Sequence, residues 1–207
     1  ATGDDVRSSP AVADLDKNNS LELIIGSHDG SLHILSGFGQ QLATHQVNGS
    51  INGSPAAVDL DQDGDLEVVF TSYNGSTGDV HAIHHNGSTF YGFPVYLNEK
   101  MVGGAAAGDL DGDGYPEIVV CTDDDNVYAI KKDGSIMTGF PFTSTDRFFN
   151  APTLVDLDGD SDLEIVVGNR RGTLQVLHHD GTEMASYEVG DDIRGGISVA
   201  DLNDDGS

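Results

Sequence analysis

Five acidic loops of the form D-x-[DN]-x-[DN] start at Asp14, Asp59, Asp109, Asp156 and Asp201, at spacings of 45 to 50 residues. A fixed period in the forties is about the length of one propeller blade and marks an array of similar units. The chain is therefore expected to be built by repetition, with each unit covering the faces of its neighbours.

Alignment on the loops shows the same order of events in every unit. A short run of small residues comes first: Ser9-Pro10-Ala11-Val12-Ala13, Ser54-Pro55-Ala56-Ala57-Val58, Gly104-Ala105-Ala106-Ala107-Gly108 and Ala151-Pro152-Thr153-Leu154-Val155. Small side chains suit a strand where neighbouring backbones approach closely. After the loop come Leu21 to Ile25, Leu66 to Phe70, Pro116 to Val120 and Leu163 to Val167, apolar on successive residues. That pattern predicts a strand covered on both faces. Gly or Asn-Gly turns follow, then an alternating third run, another tight turn, and a variable fourth segment such as Gln41 to Val47 or Glu183 to Val189. Four short strands per unit predict an all-β fold, a β-propeller of four-stranded blades. A sandwich would not require the same loop in every unit.

The repeats are expected over residues 8–49, 53–100, 103–147 and 150–190, with a partial fifth over 195–207, and no linker separates them within 1–207. The fifth unit stops inside its acidic loop. The reading is a fragment of a larger ring, whose open blade edge would favour self-association.

With 35 acidic and 9 basic side chains, the net charge is −26. Such a chain repels nucleic acid and anionic membrane surfaces. Neither nucleic acid binding nor membrane insertion is expected, because no apolar run approaches the length of a membrane span. The N-terminus lacks the basic-then-apolar order of a signal peptide, so a targeting segment would be removed or lie outside this chain. Hydrophobic residues make up 37%, in regular short runs, which argues for a packed core rather than disorder. The lone cysteine, Cys121, lies in an apolar run and reads as an inert buried thiol.

Written by position, the loops place oxygen-bearing side chains at 1, 3 and 5: Asp14, Asp16 and Asn18; Asp59, Asp61 and Asp63; Asp109, Asp111 and Asp113; Asp156, Asp158 and Asp160; Asp201, Asn203 and Asp205. Position 7 is unrestricted (Ser20, Asp65, Tyr115, Asp162, Ser207), as a backbone carbonyl ligand would allow. Position 9 is Glu22, Glu67, Glu117 and Glu164 in the four complete loops. This oxygen-only set matches the preference of Ca²⁺, one ion per repeat, with four complete sites and an incomplete fifth. Mg²⁺ fits less well, since it demands octahedral geometry and keeps its waters. An EF-hand needs Glu at position 12, where this chain has Ile25, Phe70, Val120 and Val167.

These residues resemble FG-GAP/VCBS-type repeats, the blades of the N-terminal propeller of integrin alpha subunits and of many secreted bacterial proteins. The matching text runs from Ser9-Pro10-Ala11-Val12-Ala13-Asp14-Leu15-Asp16 to Leu21-Glu22-Leu23-Ile24-Ile25-Gly26, with counterparts in each unit. The Gly-Ala-Pro that gives the family its name is replaced by Gly26-Ser27-His28, Thr71-Ser72-Tyr73, Thr122-Asp123-Asp124 and Gly168-Asn169-Arg170. Gly92-Phe93-Pro94 and Gly139-Phe140-Pro141 are similar to the secreted microbial versions. The resemblance implies a Ca²⁺-bound, extracellular or cell-surface scaffold for adhesion or recognition, with no shared catalytic residue.

No Ser/His/Asp grouping stands out and no carboxylate pair lies outside the loops, so no enzyme activity is expected. The expected partner is a protein or glycan held by loops on one propeller face. The alternative is the propeller of a polysaccharide-active enzyme or a lectin-like glycan binder, although tryptophan is absent. His33 and His81 share a position in the third strand with Tyr128 and Gln175. His84, His85, His178 and His179 align with Ser36, Gly37, Lys131 and Lys132, which reads as a solvated strand end.

Overall fold

The structure is a computed structural model that describes residues 2–200. It contains four antiparallel sheets, and there is no helix among the described residues. The first sheet comprises β1 (Ala11–Ala13), β2 (Glu22–Gly26), β3 (Ser31–Ser36) and β4 (Gln41–Gln46). The second comprises β5 (Ala56–Val58), β6 (Glu67–Tyr73), β7 (Gly78–Ile83) and β8 (Val95–Tyr96). The third comprises β9 (Ala106–Gly108), β10 (Glu117–Cys121), β11 (Asn126–Ile130) and β12 (Phe142–Thr143). The fourth comprises β13 (Thr153–Val155), β14 (Glu164–Gly168), β15 (Thr173–Leu177) and β16 (Glu183–Glu188). Each sheet pairs its strands in chain order, so each is a simple up-and-down blade of a β-propeller.

The small first strands explain how the blades converge. Successive blades meet through β1, β5, β9 and β13. Just ahead of these strands the backbones nearly touch: a Cβ on Gly53 would stand 2.4 Å from the Gly103 carbonyl oxygen, and one on Gly103 would stand 2.5 Å from that of Asn150. Only hydrogen fits there.

The second strands carry the core, and their successive side chains serve different neighbours. Val68 and Phe70 of β6 pack with Ile24, Leu32 and Ile34 of the first blade. Val69, between them, packs with Ile118, Val120 and Ile130 of the third. In β10, Val119 and Cys121 turn instead toward Ile165, Val167 and Leu177 of the fourth. A strand sandwiched in this way must be apolar at every position, which accounts for its uninterrupted run. Cys121 is buried, and desolvation pushes its thiol well above the usual range, so it is unreactive. The outer strands are long and exposed in the first and fourth blades but only two residues in β8 and β12.

The shared third-strand position is polar yet buried in all four blades, at His33, His81, Tyr128 and Gln175. Each finds its own partner. His81 Nε2 lies 2.9 Å from Ser72 Oγ and its ring stacks on Phe70 at 4.9 Å, while the Tyr128 hydroxyl donates to Glu99 at 2.6 Å. Burial, reinforced by the nearby His45, pulls the His81 imidazole down to about 4. The folded protein therefore holds His81 neutral. Its contribution is fully present above the ordinary histidine pKa near 6.5 and is lost as pH falls through about 4. At pH 5 the wild type is expected to carry a penalty of about 2 kcal/mol from this group. His81→Gln, which copies Gln175 of the fourth blade, should lose correspondingly less stability between pH 7 and pH 5 in urea titrations. Equal losses in the two proteins would remove the assignment.

Candidate metal centres

The acidic loops join the first and second strands of each blade, and their backbone explains their sequence. Positions 4 and 6 adopt positive φ in every described loop: Lys17 and Asn19, Gln62 and Gly64, Gly112 and Gly114, Gly159 and Ser161. Glycine is the residue with least steric objection to that conformation, and it fills four of the eight positions. The alternation lets the acidic side chains be chained by backbone amides. The position 3 oxygen accepts from the position 5 N–H in the first three loops, and the position 5 oxygen accepts from position 7 in all four, at 2.8 to 3.3 Å. The first aspartate reaches across, with its Oδ2 accepting from the position 6 N–H of Asn19, Gly64, Gly114 and Ser161.

The ninth residue closes each loop. Glu22, Glu67, Glu117 and Glu164 are all buried, and their Oε2 atoms accept from the N–H of Leu15, Leu60, Leu110 and Leu157 at 2.8 to 3.1 Å. The first three of those leucines are buried in the seam with the following blade. The Leu15 carbonyl accepts from Leu66 N–H and the Leu110 carbonyl from Leu163 N–H, so these loops also stitch blade to blade.

Carboxylate oxygens converge within 4.8 Å of one another in three equivalent sets: Asp14, Asp16 and Glu22; Asp59, Asp61 and Glu67; Asp109, Asp111 and Glu117. In each set the Oδ1 of the first aspartate is shielded from solvent and has no hydrogen-bond partner. Burial pushes the Glu117 carboxyl up to about 7, with the Asp111 and Asp113 charges adding to the shift, and it raises Glu67 likewise. Buried anionic oxygens without partners are costly. The fit to a hard cation is therefore good on this ground as well as on donor chemistry.

The fourth loop differs. Its converging set is Asp158, Asp160, Asp162 and Glu164. Asp156 belongs to no converging set, and its Oδ1 instead accepts from Gly159 N–H at 2.7 Å. Leu157 is 39% exposed, with no following sheet among the described residues to pack on. Asn18, Asp63 and Asp113 hold the position 7 amides. Of the position 7 side chains, Asp65 faces His85 at 3.3 Å, Tyr115 lies under Lys132 Nζ at 3.1 Å from its centroid, and Asp162 contacts His179. Ser20 is exposed. Asp201, Asn203, Asp205 and Ser207 lie outside the described residues.

The residue pair after the third strand, read from sequence as a solvated strand end, is about one-third exposed and also forms a wall of the acidic loop. His84 Nδ1 lies 3.1 Å from Glu67 Oε1, Lys131 Nζ 3.5 Å from Asp111 Oδ2, and His178 Nδ1 3.7 Å from Glu164 Oε1. The signal lay in the alignment itself, because the pair is cationic or titratable in three of the four blades. A second feature lies where three connecting segments meet, one between β12 and β13, one between β14 and β15 and one after β16. The guanidinium groups of Arg147, Arg170 and Arg194 each stand 5.8 to 5.9 Å from the Phe149 ring centre.

The model of the FG-GAP-like repeat matches residues 59–120 and again 109–167, together more than half of the chain. No curated protein matches the sequence. Among solved structures, the chain is similar to BamB from Moraxella catarrhalis, with 17% identity and a TM-score of 0.66 over 93% of this chain and 55% of that one. It is also similar to BBS1N in a complex with ARL6DN, with 13% identity and a TM-score of 0.65 over 91% and 58%. A third likeness is to a europium-containing methanol dehydrogenase, with 17% identity and a TM-score of 0.60 over 87% and 41%. At these identities the likeness shows the fold, and the chain spans only about half the length of these structures.

Proposed function

Because the chain belongs to the FG-GAP-like repeat family, we propose that it is a calcium-binding, non-catalytic recognition scaffold that works outside the cell or at its surface. The observation that carries this reading is the row of shielded, unpartnered Oδ1 atoms on Asp14, Asp59 and Asp109, each beside a buried glutamate. Asp14, Asp16 and Glu22 would hold the ion in the first blade, with Asn18 and the Ser20 carbonyl completing the set. Asp59, Asp61, Asp63, Glu67 and the Asp65 carbonyl have the same roles in the second blade, and Asp109, Asp111, Asp113, Glu117 and the Tyr115 carbonyl in the third. The cation supplies counter-charge to the buried carboxylates, while the chain's own residues fix the loop and join it to the next blade.

Recognition would then fall to other loops. The cluster of Arg147, Arg170 and Arg194 around Phe149, two of whose guanidinium groups also face Asp192, offers a polar and aromatic surface for a protein or glycan on a chain of net charge −26. The complex of BBS1N with ARL6DN is a precedent for this fold in protein recognition. The similarity to a methanol dehydrogenase shows that the fold also occurs in enzymes. The non-catalytic reading rests on the burial of the Ser72 and His81 pair, 1% and 7% exposed, and on the lack, among the described residues, of a carboxylate hydrogen-bonded to that imidazole. The test is a calcium titration of chelator-stripped protein by calorimetry. One equivalent is expected for each of the loops that start at Asp14, Asp59 and Asp109, and Asp109→Asn should remove one. An unchanged count in that variant, or no uptake at all, would overturn the reading.

A further inference from the structure

The fourth blade carries a donor set that the others lack. Asp158, Glu164 and His178 each bring one ligand atom within 4.8 Å of the other two. Glu164 is 0% exposed, its Oε2 is fixed by Leu157 N–H at 2.8 Å, and its Oε1 has no hydrogen-bond partner. His178 Nδ1 stands 3.7 Å from that oxygen, too far for a hydrogen bond. Bonds of about 2.0 to 2.1 Å around a tetrahedral Zn²⁺ would put two ligand atoms roughly 3.3 to 3.5 Å apart, close to the 3.7 Å between His178 Nδ1 and Glu164 Oε1. The histidine is held in place by a tight turn, in which His178 N–H donates to the Thr182 carbonyl and Gly181 N–H donates to the His178 carbonyl, both at 2.9 Å. Its side chain is about one-third exposed, which leaves an entry path and room for a water ligand.

We propose that the fourth acidic loop is a transition-metal site, in which Asp158, Glu164 and His178 bind a borderline divalent ion of the Zn²⁺ or Co²⁺ type. Imidazole is a poor partner for Ca²⁺ and a good one for these ions. The other blades are excluded by their own residues. The first has Ser36 and Gly37 at the corresponding place, and the third has Lys131, whose ammonium already faces Asp111. In the second, His84 is within hydrogen-bond distance of Glu67 at 3.1 Å, and the converging set there contains no histidine. One loop architecture thus serves two classes of cation, chosen by the residue that follows the third strand. The inference goes beyond the calcium reading and does not depend on it.

The experiment titrates tag-free protein with Zn²⁺ by calorimetry and with Co²⁺ by visible absorption, in millimolar Ca²⁺ throughout. One Zn²⁺ per chain is expected, with a Co²⁺ spectrum that indicates a nitrogen ligand. Loss of a ligand costs at least as much as loss of a supporting partner, so His178→Ala should weaken binding roughly tenfold or more. His84→Ala should leave it unchanged, and circular dichroism checks that both variants fold. The proposal is overturned by no stoichiometric uptake, by uptake that His178→Ala leaves intact, or by equal losses in the two variants. The two readings fail separately: Zn²⁺ uptake through His178 without any calcium uptake sinks only the calcium reading, and calcium uptake without Zn²⁺ uptake sinks only this one.

Discussion

Excess chelator is expected to lower the melting temperature of this protein more than any surface substitution, and restored Ca²⁺ is expected to recover it. The reason is the concentration of negative charge in the loops. Two carboxylates about 4 Å apart repel by roughly 4 kcal/mol at an effective dielectric near 20. In three blades the convergence includes a shielded Asp oxygen and a buried glutamate. An ion bound at a hundredfold excess over its dissociation constant stabilises the folded state by about 2.7 kcal/mol per site. Several sites together approach the whole stability of an ordinary domain. Melts in chelator, in chelator followed by excess Ca²⁺, and in matched sodium chloride separate specific binding from simple screening. An unchanged melt in excess chelator would remove the structural role of the ion, and equal recovery by sodium chloride would reduce it to screening.

Phe70→Ala should cost about 3 to 5 kcal/mol, the usual range for a buried aromatic that cannot be refilled. Phe70 is completely buried in β6, yet much of its packing lies in the first blade, against Ile24, Leu32 and Ile34. It also carries the His81 ring on its face. The substitution therefore opens a cavity between two blades rather than inside one. Urea denaturation should show the midpoint falling sharply, while Phe38→Ala, at a fully exposed position, stays within about 0.5 kcal/mol of wild type. A cost below about 1 kcal/mol for Phe70→Ala would mean that the seam between blades is not where the stability resides.

Much of this architecture was legible because it is local. The loop period, the small first strands and the doubly buried second strands are written in consecutive residues, and the sheets follow them closely. The positive φ at positions 4 and 6 was legible only where glycine stands, as at Gly112 and Gly114, and hidden where Lys17, Asn19 and Ser161 adopt it. The fourth loop matches the motif as well as any other, yet Asp156 joins no converging set there, a difference that its own residues do not announce. The histidine and lysine walls were missed for a similar reason. Glu67 and His84 are 17 residues apart and meet only after β6 and β7 pair. The three arginines around Phe149 come from three separate connecting segments, and no spacing along the chain announces them.

The alternation of side chains along the second strands also governs how the molecule comes apart. Val69 is committed to one neighbour while Val68 and Phe70 are committed to the other, so a blade has almost no private interior. Cohesion is then a property of seams, each shared by two blades, and a blade that loses both seams has little left to keep it folded.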